Sequence, residues 1–208
     1  MKIELKNIQY SEALSEETPA FAANLYIEGK KAGVASNHGH GGPTDYWADD
    51  ENGKLLIEKA ESFCKSLPSE EFKSGDKTYS IKMNLENYLD ELIGKYLLDR
   101  DIKRFNKRIE KEMERGIVVG IPDTFYSVWR FKMPLPNYLK NASGLEFIKS
   151  ALIKQIIPTL KEGKIILNTN VPEKVFREAG LSEQQYAKQV SKEAVKNNEK
   201  NIRKGRKL

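Results

Sequence analysis

Three strand-like segments at the beginning of the chain constrain its fold more than any other feature. Residues 2–10 alternate loosely between apolar and polar side chains, and residues 20–28 are rich in apolar and aromatic ones. A glycine-containing turn at residues 29–31 then leads directly into residues 32–36. Because consecutive strands joined by turns pair antiparallel, these segments predict an antiparallel meander over residues 2–36.

The rest of the chain mixes helical and strand-like segments. The spacing of apolar residues predicts amphipathic helices over residues 54–67 and 84–115, and the second of these is the longest in the chain and densely charged. Aromatic residues at 117–132 favour a second hairpin, which either extends the first sheet or forms a separate one. Shorter segments are a possible strand at 78–83, a helix at 143–160, a strand at 164–168 and a helix at 172–180. The predicted fold class is therefore α+β, with the meander packed against helices.

The net charge of +5 is unevenly distributed along the 208 residues. Residues 1–80 contain 9 basic and 14 acidic residues, whereas the remainder contains 26 basic and 16 acidic ones. A final basic helix is predicted from Ser182 onward, with a lysine at every fourth position from 188 to 204. The expected organisation is one α+β domain over residues 1–180 and a basic helical extension over residues 181–208. The extension makes the protein a nucleic-acid or protein-interaction module, with its lysines following phosphates in the nucleic-acid case, or it remains a solvated tail.

The most unusual stretch is residues 36–47, which follow the third strand and precede an expected helix. They hold both histidines of the chain, three of its fourteen glycines and one of its two tryptophans. Adjacent glycines let the backbone approach a ligand closely, their amides can together bind an anion, and histidine adds a hydrogen-bond donor. The stretch therefore predicts a site for a phosphorylated or nucleotide-like small molecule. Its expected binding residues are Asn37, His38, His40, Gly41, Gly42, Asp45, Tyr46 and Trp47.

Other interpretations of this stretch stay open. The Gly-Gly-Pro sequence at residues 41–43 also ends strands for purely structural reasons. If the protein is an enzyme, a hydrolase or transferase, His40 is the candidate general acid–base and Asp45 its candidate partner, although no nucleophile accompanies them at recognisable spacing. Two histidines and the single Cys64 do not supply the four ligands of a structural zinc site, so neither a metal nor a cofactor is expected. Cys64 has helical spacing with apolar neighbours and is expected to be buried.

Arginines spaced four residues apart on the long predicted helix are a further candidate part of the site. Arg104 and Arg108 share one face of that helix, and guanidinium groups suit phosphate. Because residues 36–47 lie in the acidic part of the chain, these cations would favour an anionic ligand if they closed over it. A second copy of the protein in a homo-oligomer could equally supply them. The alternative is that they pair with acidic residues of the same helix.

Several short segments near the N-terminus resemble one family of proteins. They are Ile8-Gln9-Tyr10, Glu16-Glu17-Thr18, residues 25–30 and the SNxGHGG pattern of residues 36–42. Together they are similar to a family that bacteria and their phages encode and for which no activity is established. The resemblance covers residues 1–70 and implies a shared fold, with His38 standing where the family tends to carry an acidic residue. A phage context implies a protein that acts on its bacterial host, for instance by capturing a nucleotide signal of immunity.

The expected compartment follows from the N-terminus and from hydropathy. Residues 1–5 lack the long apolar core of a signal peptide, and no segment reaches membrane-spanning length. A single cysteine suits a reducing compartment. The sequence therefore predicts a cytoplasmic protein without a membrane partner, in the bacterial host if a phage encodes it.

Overall fold

The computed structural model describes residues 1–75, 77–161 and 163–188. The chain divides into two compact units, Met1–Arg100 and Asp101–Leu208. Both units combine helices with antiparallel strands, which confirms the predicted α+β class. The sequence instead predicted a boundary after residue 180, between one domain and a basic extension. That organisation stays a prediction, because most of the expected extension lies outside the described residues.

The first unit contains a four-stranded antiparallel sheet in the order β1-β2-β3-β4. The strands are β1 (Ile3–Ser11), β2 (Ala20–Ile27), β3 (Lys30–Asn37) and β4 (Asp45–Ala48), and a short 3₁₀ turn at Glu12–Leu14 follows β1. The first three strands confirm the predicted meander. A helix does follow the stretch 36–47, as expected, and begins at Glu51, but the unpredicted strand β4 lies between it and the glycines. Tyr and Trp favour strands, and the pairing of β4 with β3 provides the rest of its stability.

Side chains alternate across the sheet, so one of its faces is buried and the other is exposed. On β2, Phe21, Leu25 and Ile27 are buried, whereas Ala22 between them is exposed. The buried face packs against α1 (Glu51–Lys65) and the beginning of α2 (Leu85–Met113), and this packing forms the core of the unit. Burial of each Leu or Ile there contributes roughly 1.5–3 kcal/mol. The exposed face is called the outer face below.

Helix α1 begins three residues earlier than the sequence predicted. Asn52-Gly53 indicates a break in the chain, yet both residues lie in the first helical turn. Asp50 caps the helix because its Oδ1 accepts a hydrogen bond from the Gly53 amide at 2.7 Å. A Cβ on Gly53 would lie 2.0 Å from the Ala32 carbonyl oxygen, so glycine allows the helix to approach β3. Cys64 of this helix is buried, as expected, and burial raises the pKa of its thiol.

The long central helix is present as predicted. Asn84 caps α2 by accepting a hydrogen bond from the Asn87 amide at 2.7 Å. A hairpin of β5 (Glu70–Ser74) and β6 (Lys77–Ile81) lies before it, where only a possible strand at 78–83 was expected.

The second unit contains a separate three-stranded sheet in the order β8-β7-β9. Its strands are β7 (Gly116–Ile121), β8 (Phe125–Arg130) and β9 (Ile165–Ile166), so the predicted hairpin at 117–132 does not extend the first sheet. The helices of this unit, besides the end of α2, are α3 (Leu135–Tyr138), α4 (Ala142–Ala151) and α5 (Glu173–Glu178). The core forms where β7 packs against α4 and α5.

The helix expected over residues 143–160 changes character halfway along. Asn141 rather than Ser143 caps α4, since its Oδ1 accepts from the Gly144 amide at 2.8 Å. After Ala151 the backbone continues as a π-helix at Leu152–Ile156, in which the Ile157 amide donates to the Leu152 carbonyl. Pro158 has no amide to donate to the preceding turn, which disfavours a regular α-helix there. Isolated π-turns of this kind are rare in proteins, and a large share of those that occur lie at functional sites.

The helix predicted from Ser182 is wrong over residues 182–188. These residues form a turn, and Tyr186 makes a parallel bridge with Ile166 while its ring packs 4.9 Å from that of Phe176. Tyr186 is buried, and burial of its ring favours this arrangement over a solvated helix. The remainder of the expected basic helix, with its lysine stripe, lies outside the described residues. Within the described ranges no helix is both long and apolar enough to cross a membrane.

Candidate functional site

The loop that the sequence singled out connects β3 to β4 and is organised by Asn37. We call residues 38–44 the glycine loop. The side chain of Asn37 is buried and makes four hydrogen bonds. Its Oδ1 accepts from Thr18 Oγ1 and from the Gly39 amide, both at 2.8 Å. Its Nδ2 donates to the Gly42 carbonyl at 2.9 Å and to Thr44 Oγ1 at 3.3 Å. Asn37 therefore acts as the internal support of the loop.

The glycines of the loop also serve its internal structure. Gly39 and Gly41 have φ angles of +93° and +84°, which other residues rarely adopt. The Gly39 carbonyl accepts hydrogen bonds from the backbone amides of residues 16–18. The Gly41 amide donates to Thr18 Oγ1 at 3.2 Å. One of the two amides expected to bind an anion, that of Gly41, is thus already bonded within the protein.

The surroundings of the glycine loop are acidic. A Cβ placed on Gly41 would lie 2.1 Å from a carboxylate oxygen of Glu17. The Nδ1 atom of His40 lies 3.2 Å from Glu16 Oε2, and the His40 side chain is 61% exposed. Glu16 is thus the recorded partner of His40, where the sequence had suggested Asp45. Two carboxylates beside the loop disfavour an anionic ligand at this point.

The residues expected on β4 face opposite sides of the sheet. Asp45 and Trp47 lie opposite Ser36 and Val34 of β3 and share the outer face. Tyr46 points the other way, packs against the core and donates its hydroxyl to Glu61 Oε1 at 2.8 Å. Burial, together with this hydrogen bond, raises the pKa of Tyr46 to about 12. Tyr46 therefore belongs with the core rather than with a stacking surface beside Trp47.

The remaining predicted residues are His38, Arg104 and Arg108. His38 is exposed and lines a shallow cavity of about 290 Å³ at the end of the sheet, together with Gln9 and Leu14. Arg104 and Arg108 lie on the part of α2 that belongs to the second unit. The loop belongs to the first unit. A shared site for the loop and these arginines stays a prediction.

The second unit contains a cavity that the sequence did not predict. Its volume is about 420 Å³, within the usual range of small-molecule pockets. It lies between the end of β8, α3, and the helical stretch formed by α4 and the π-helix. We call it the aromatic groove. Its lining consists of Trp129, Arg130, Phe131, Lys132, Tyr138, Phe147, Ser150, Ala151, Lys154, Gln155 and Ile156.

Three rings of the aromatic groove contact one another. Tyr138 and Phe147 are stacked, with ring centroids 4.9 Å apart and an interplanar angle of 16°. Phe131 meets both rings edge-on, at 5.6 Å from Tyr138 and 5.7 Å from Phe147. Phe147 is 47% exposed, although a ring of this size is usually buried. Part of the aromatic surface is thus available to a ligand.

The charged residues that line the groove are all basic. Arg130 is held by Glu112 of α2, whose Oε2 accepts from the Arg130 guanidinium at 3.0 and 3.2 Å. Lys132 and Lys154 are exposed, and neither forms an ion pair with another residue in the part of the chain that the structure describes. The lining given above, taken from the described residues, contains no acidic side chain. The charged side chains that line the groove would therefore attract an anionic group, although Glu112 already neutralises Arg130.

The sequence did not predict this groove. The aromatic residues at 117–132 predicted only a hairpin, since aromatic residues of a strand pack in a core more often than they stack on bases. Tyr138 and Phe147 carry no signal of their own, because α3 and α4 are needed to bring them to Phe131. The π-helix that carries Lys154 is likewise not visible in the spacing of apolar residues.

No group of three or more His, Cys, Asp or Glu side chains in the described ranges could hold a metal ion. Comparison with protein-family models, with curated proteins and with solved structures finds no match to this chain. The resemblance to bacterial and phage proteins therefore stays a prediction, and the geometry of the two regions described above is the basis for any functional assignment.

Proposed function

We propose that the protein binds a phosphorylated, nucleotide-like small molecule and that the aromatic groove of the second unit is its binding site. The observation that carries this proposal is the composition of the lining, which combines exposed aromatic surface with cations and contains no acidic side chain among the described residues. The ligand class is the one that the sequence suggested, but the location differs.

The rings provide the contact for the base. A nucleobase packs on an aromatic face with roughly 1–3 kcal/mol of stabilisation per base. Phe147 offers such a face because it is half exposed and its other side is supported by Tyr138. Ser150 and Gln155 supply neutral donors and acceptors close to the same surface.

The lysines provide the contact for the phosphate. Lys132 follows β8 and Lys154 lies on the π-helix, so the two cations approach the groove from different elements. Exposed ammonium groups attract phosphate as point charges, and salt screens this attraction. Arg130 contributes less, since Glu112 already holds its guanidinium.

The glycine loop is less suited to this ligand. The amides of Gly39 and Gly41 are used by Asn37 and Thr18, and two glutamates lie beside the loop. A phosphate there would have to replace protein hydrogen bonds and overcome like-charge repulsion. We infer that the loop shapes the first unit and does not bind the anion.

The test is calorimetric titration of the full chain with AMP, ATP, GTP, cyclic di-AMP and cyclic di-GMP, with adenosine and guanosine as the phosphate-free controls. The cyclic dinucleotides are included because a phage protein would meet them as immune signals. At least one nucleotide should bind, and the corresponding nucleoside should bind at least about fivefold more weakly.

Variants assign the binding to the groove. Phe147→Ala and Lys154→Ala should each weaken binding about tenfold, from the loss of a stacking contact or of a phosphate contact. Lys107→Ala, which removes an exposed lysine of α2 outside the groove, should leave the affinity unchanged. Absence of heat with all five nucleotides, or equal affinities in the three variants, would contradict the proposal.

A further inference from the structure

The outer face of the first sheet contains a second depression that no part of the proposed nucleotide site uses. Its volume is about 340 Å³. At its centre Ala22 of β2 lies opposite Ser36 of β3, so two small side chains occupy the place where larger ones would fill the surface. The depression therefore follows from the choice of residues on adjacent strands.

A bulge in β1 forms one side of this depression. The pairing of β1 with β2 shifts between Lys6 and Gln9, and Asn7 within the bulge has a φ angle of +53°. Bulges turn side chains in new directions and are frequent beside binding sites, and Asn tolerates a positive φ better than most residues. As a result Asn7 and Gln9 both line the depression.

The lining is polar but uncharged. Asn7, Gln9, Asn24 and Ser36 supply it with amide and hydroxyl groups, and no charged residue belongs to it. None of these four side chains hydrogen-bonds to another group within the described ranges. Amides and hydroxyls can each donate and accept. They are therefore available to a ligand that carries alternating donors and acceptors.

An exposed aromatic ring lies beside the depression. Trp47 of β4 is 51% exposed and is the direct cross-strand neighbour of Val34, which lines the depression. Asp45, the cross-strand neighbour of Ser36 on the same face, adds a carboxylate acceptor within reach of the rim. An indole face provides an apolar platform for the C–H side of a ring.

We propose that the outer face of the first sheet binds an uncharged carbohydrate. Amide and hydroxyl groups match the hydroxyls of a sugar, Trp47 matches its apolar face, and the neutral lining gives a phosphorylated ligand no cation. Gln9 and Ala22 also line the neighbouring cavity of about 290 Å³ that contains His38. The two cavities are thus adjacent, and an oligosaccharide that reaches both would gain more contacts with this surface than a single sugar does.

The experiment uses the fluorescence of Trp47 in a Trp129→Phe variant of the full chain, in which Trp47 is the only tryptophan. The probes are glucose, N-acetylglucosamine, maltotriose and chitotriose. At least one trisaccharide should change the emission until it saturates. Its affinity should be at least about threefold higher than that of its monosaccharide. In the same background, Asn24→Ala and Ser36→Ala should each weaken this binding about fivefold, whereas Asn52→Ala, an exposed amide on α1, should not.

Two results would overturn the proposal. One is the absence of any emission change with all four sugars while circular dichroism shows that the variant is folded. The other is an emission change that follows protein concentration and not sugar concentration, since it would assign the outer face to contact between copies of the chain. Both results leave nucleotide binding by the native chain, measured calorimetrically, unaffected.

Discussion

The glycine loop and the aromatic groove differ in how their residues are used. In the loop, the uncommon combination of Asn, His and Gly is mostly engaged internally, because Asn37 makes four hydrogen bonds and the glycines allow the tight backbone. In the groove, common residues from several elements leave a half-exposed ring facing a cavity, beside two lysines that form no ion pair with any described residue. A conspicuous sequence is therefore not by itself a binding site, since unusual residues are also needed where the backbone takes an unusual path.

Replacement of Asn37 should have the largest effect on stability. A small effect would contradict the conclusion that the glycine loop is engaged internally. Asn37→Ala leaves the buried Gly39 amide and the partly buried Thr18 hydroxyl and Gly42 carbonyl without their partner. We expect a loss of about 2–3 kcal/mol in the free energy of unfolding. Urea denaturation measures it. Asn24→Ala on the outer face removes an amide that hydrogen-bonds to no other described residue, and it should cost less than about 0.5 kcal/mol.

Two glycines of the glycine loop, Gly39 and Gly42, offer the next test. Gly39→Ala places a Cβ 2.0 Å from the Leu14 carbonyl oxygen at a φ of +93°, so the backbone has to move. We expect a loss of about 1–3 kcal/mol. Gly42→Ala adds a Cβ with no atom within 4 Å and should be nearly neutral. Thermal denaturation of both variants makes the comparison, and equal melting temperatures would mean that the loop tolerates rearrangement.

The opposite behaviour is expected in the groove. Phe147→Ala removes a half-exposed ring with its stacked contact to Tyr138 and its edge-on contact to Phe131, so it should lower the free energy of unfolding by only about 1–2 kcal/mol. Nucleotide affinity should nevertheless fall about tenfold. Denaturation and calorimetry on the same preparation compare the two effects. A variant that unfolds as readily as Asn37→Ala would show that the rings serve the core rather than a ligand.

The smallest effect concerns pH and the inward-facing residue of β4. Tyr46 has a pKa of about 12 in the folded protein, against about 10 in an unfolded chain. The neutral phenol is favoured by folding, so its contribution to stability is complete below about pH 10 and is lost as the pH rises towards 12. Between about pH 9 and pH 11 the urea midpoint should therefore fall less in Tyr46→Phe than in the native chain. If the urea midpoint fell equally in both proteins, Tyr46 would not be packed against the core as described.

The sequence singled out one of the candidate regions. The stretch 36–47 was predicted to be a ligand site, with a purely structural turn as the stated alternative, and the ligand site stays a prediction. The groove was not foreseen, because Phe131, Tyr138 and Phe147 belong to three elements whose meeting depends on tertiary packing. The partner of His40 was also missed, since Glu16 is distant in sequence and reaches the histidine only through the pairing of β1, β2 and β3.

The sequence by itself determined the elements whose stability is local. Alternation and turns specified the meander of β1 to β3, apolar spacing and the Asn84 cap specified α2, and Pro172 with Gly180 bounded α5. Tertiary structure alone decided the rest. Strand β4 has four residues and is stable only when paired with β3. Tyr186 is not helical, although the sequence around it predicts a helix, because burial of its ring against Phe176 is more favourable. Local patterns encode hydrogen bonds between near neighbours, whereas pairing, burial and the assembly of the groove depend on contacts between residues far apart in the chain.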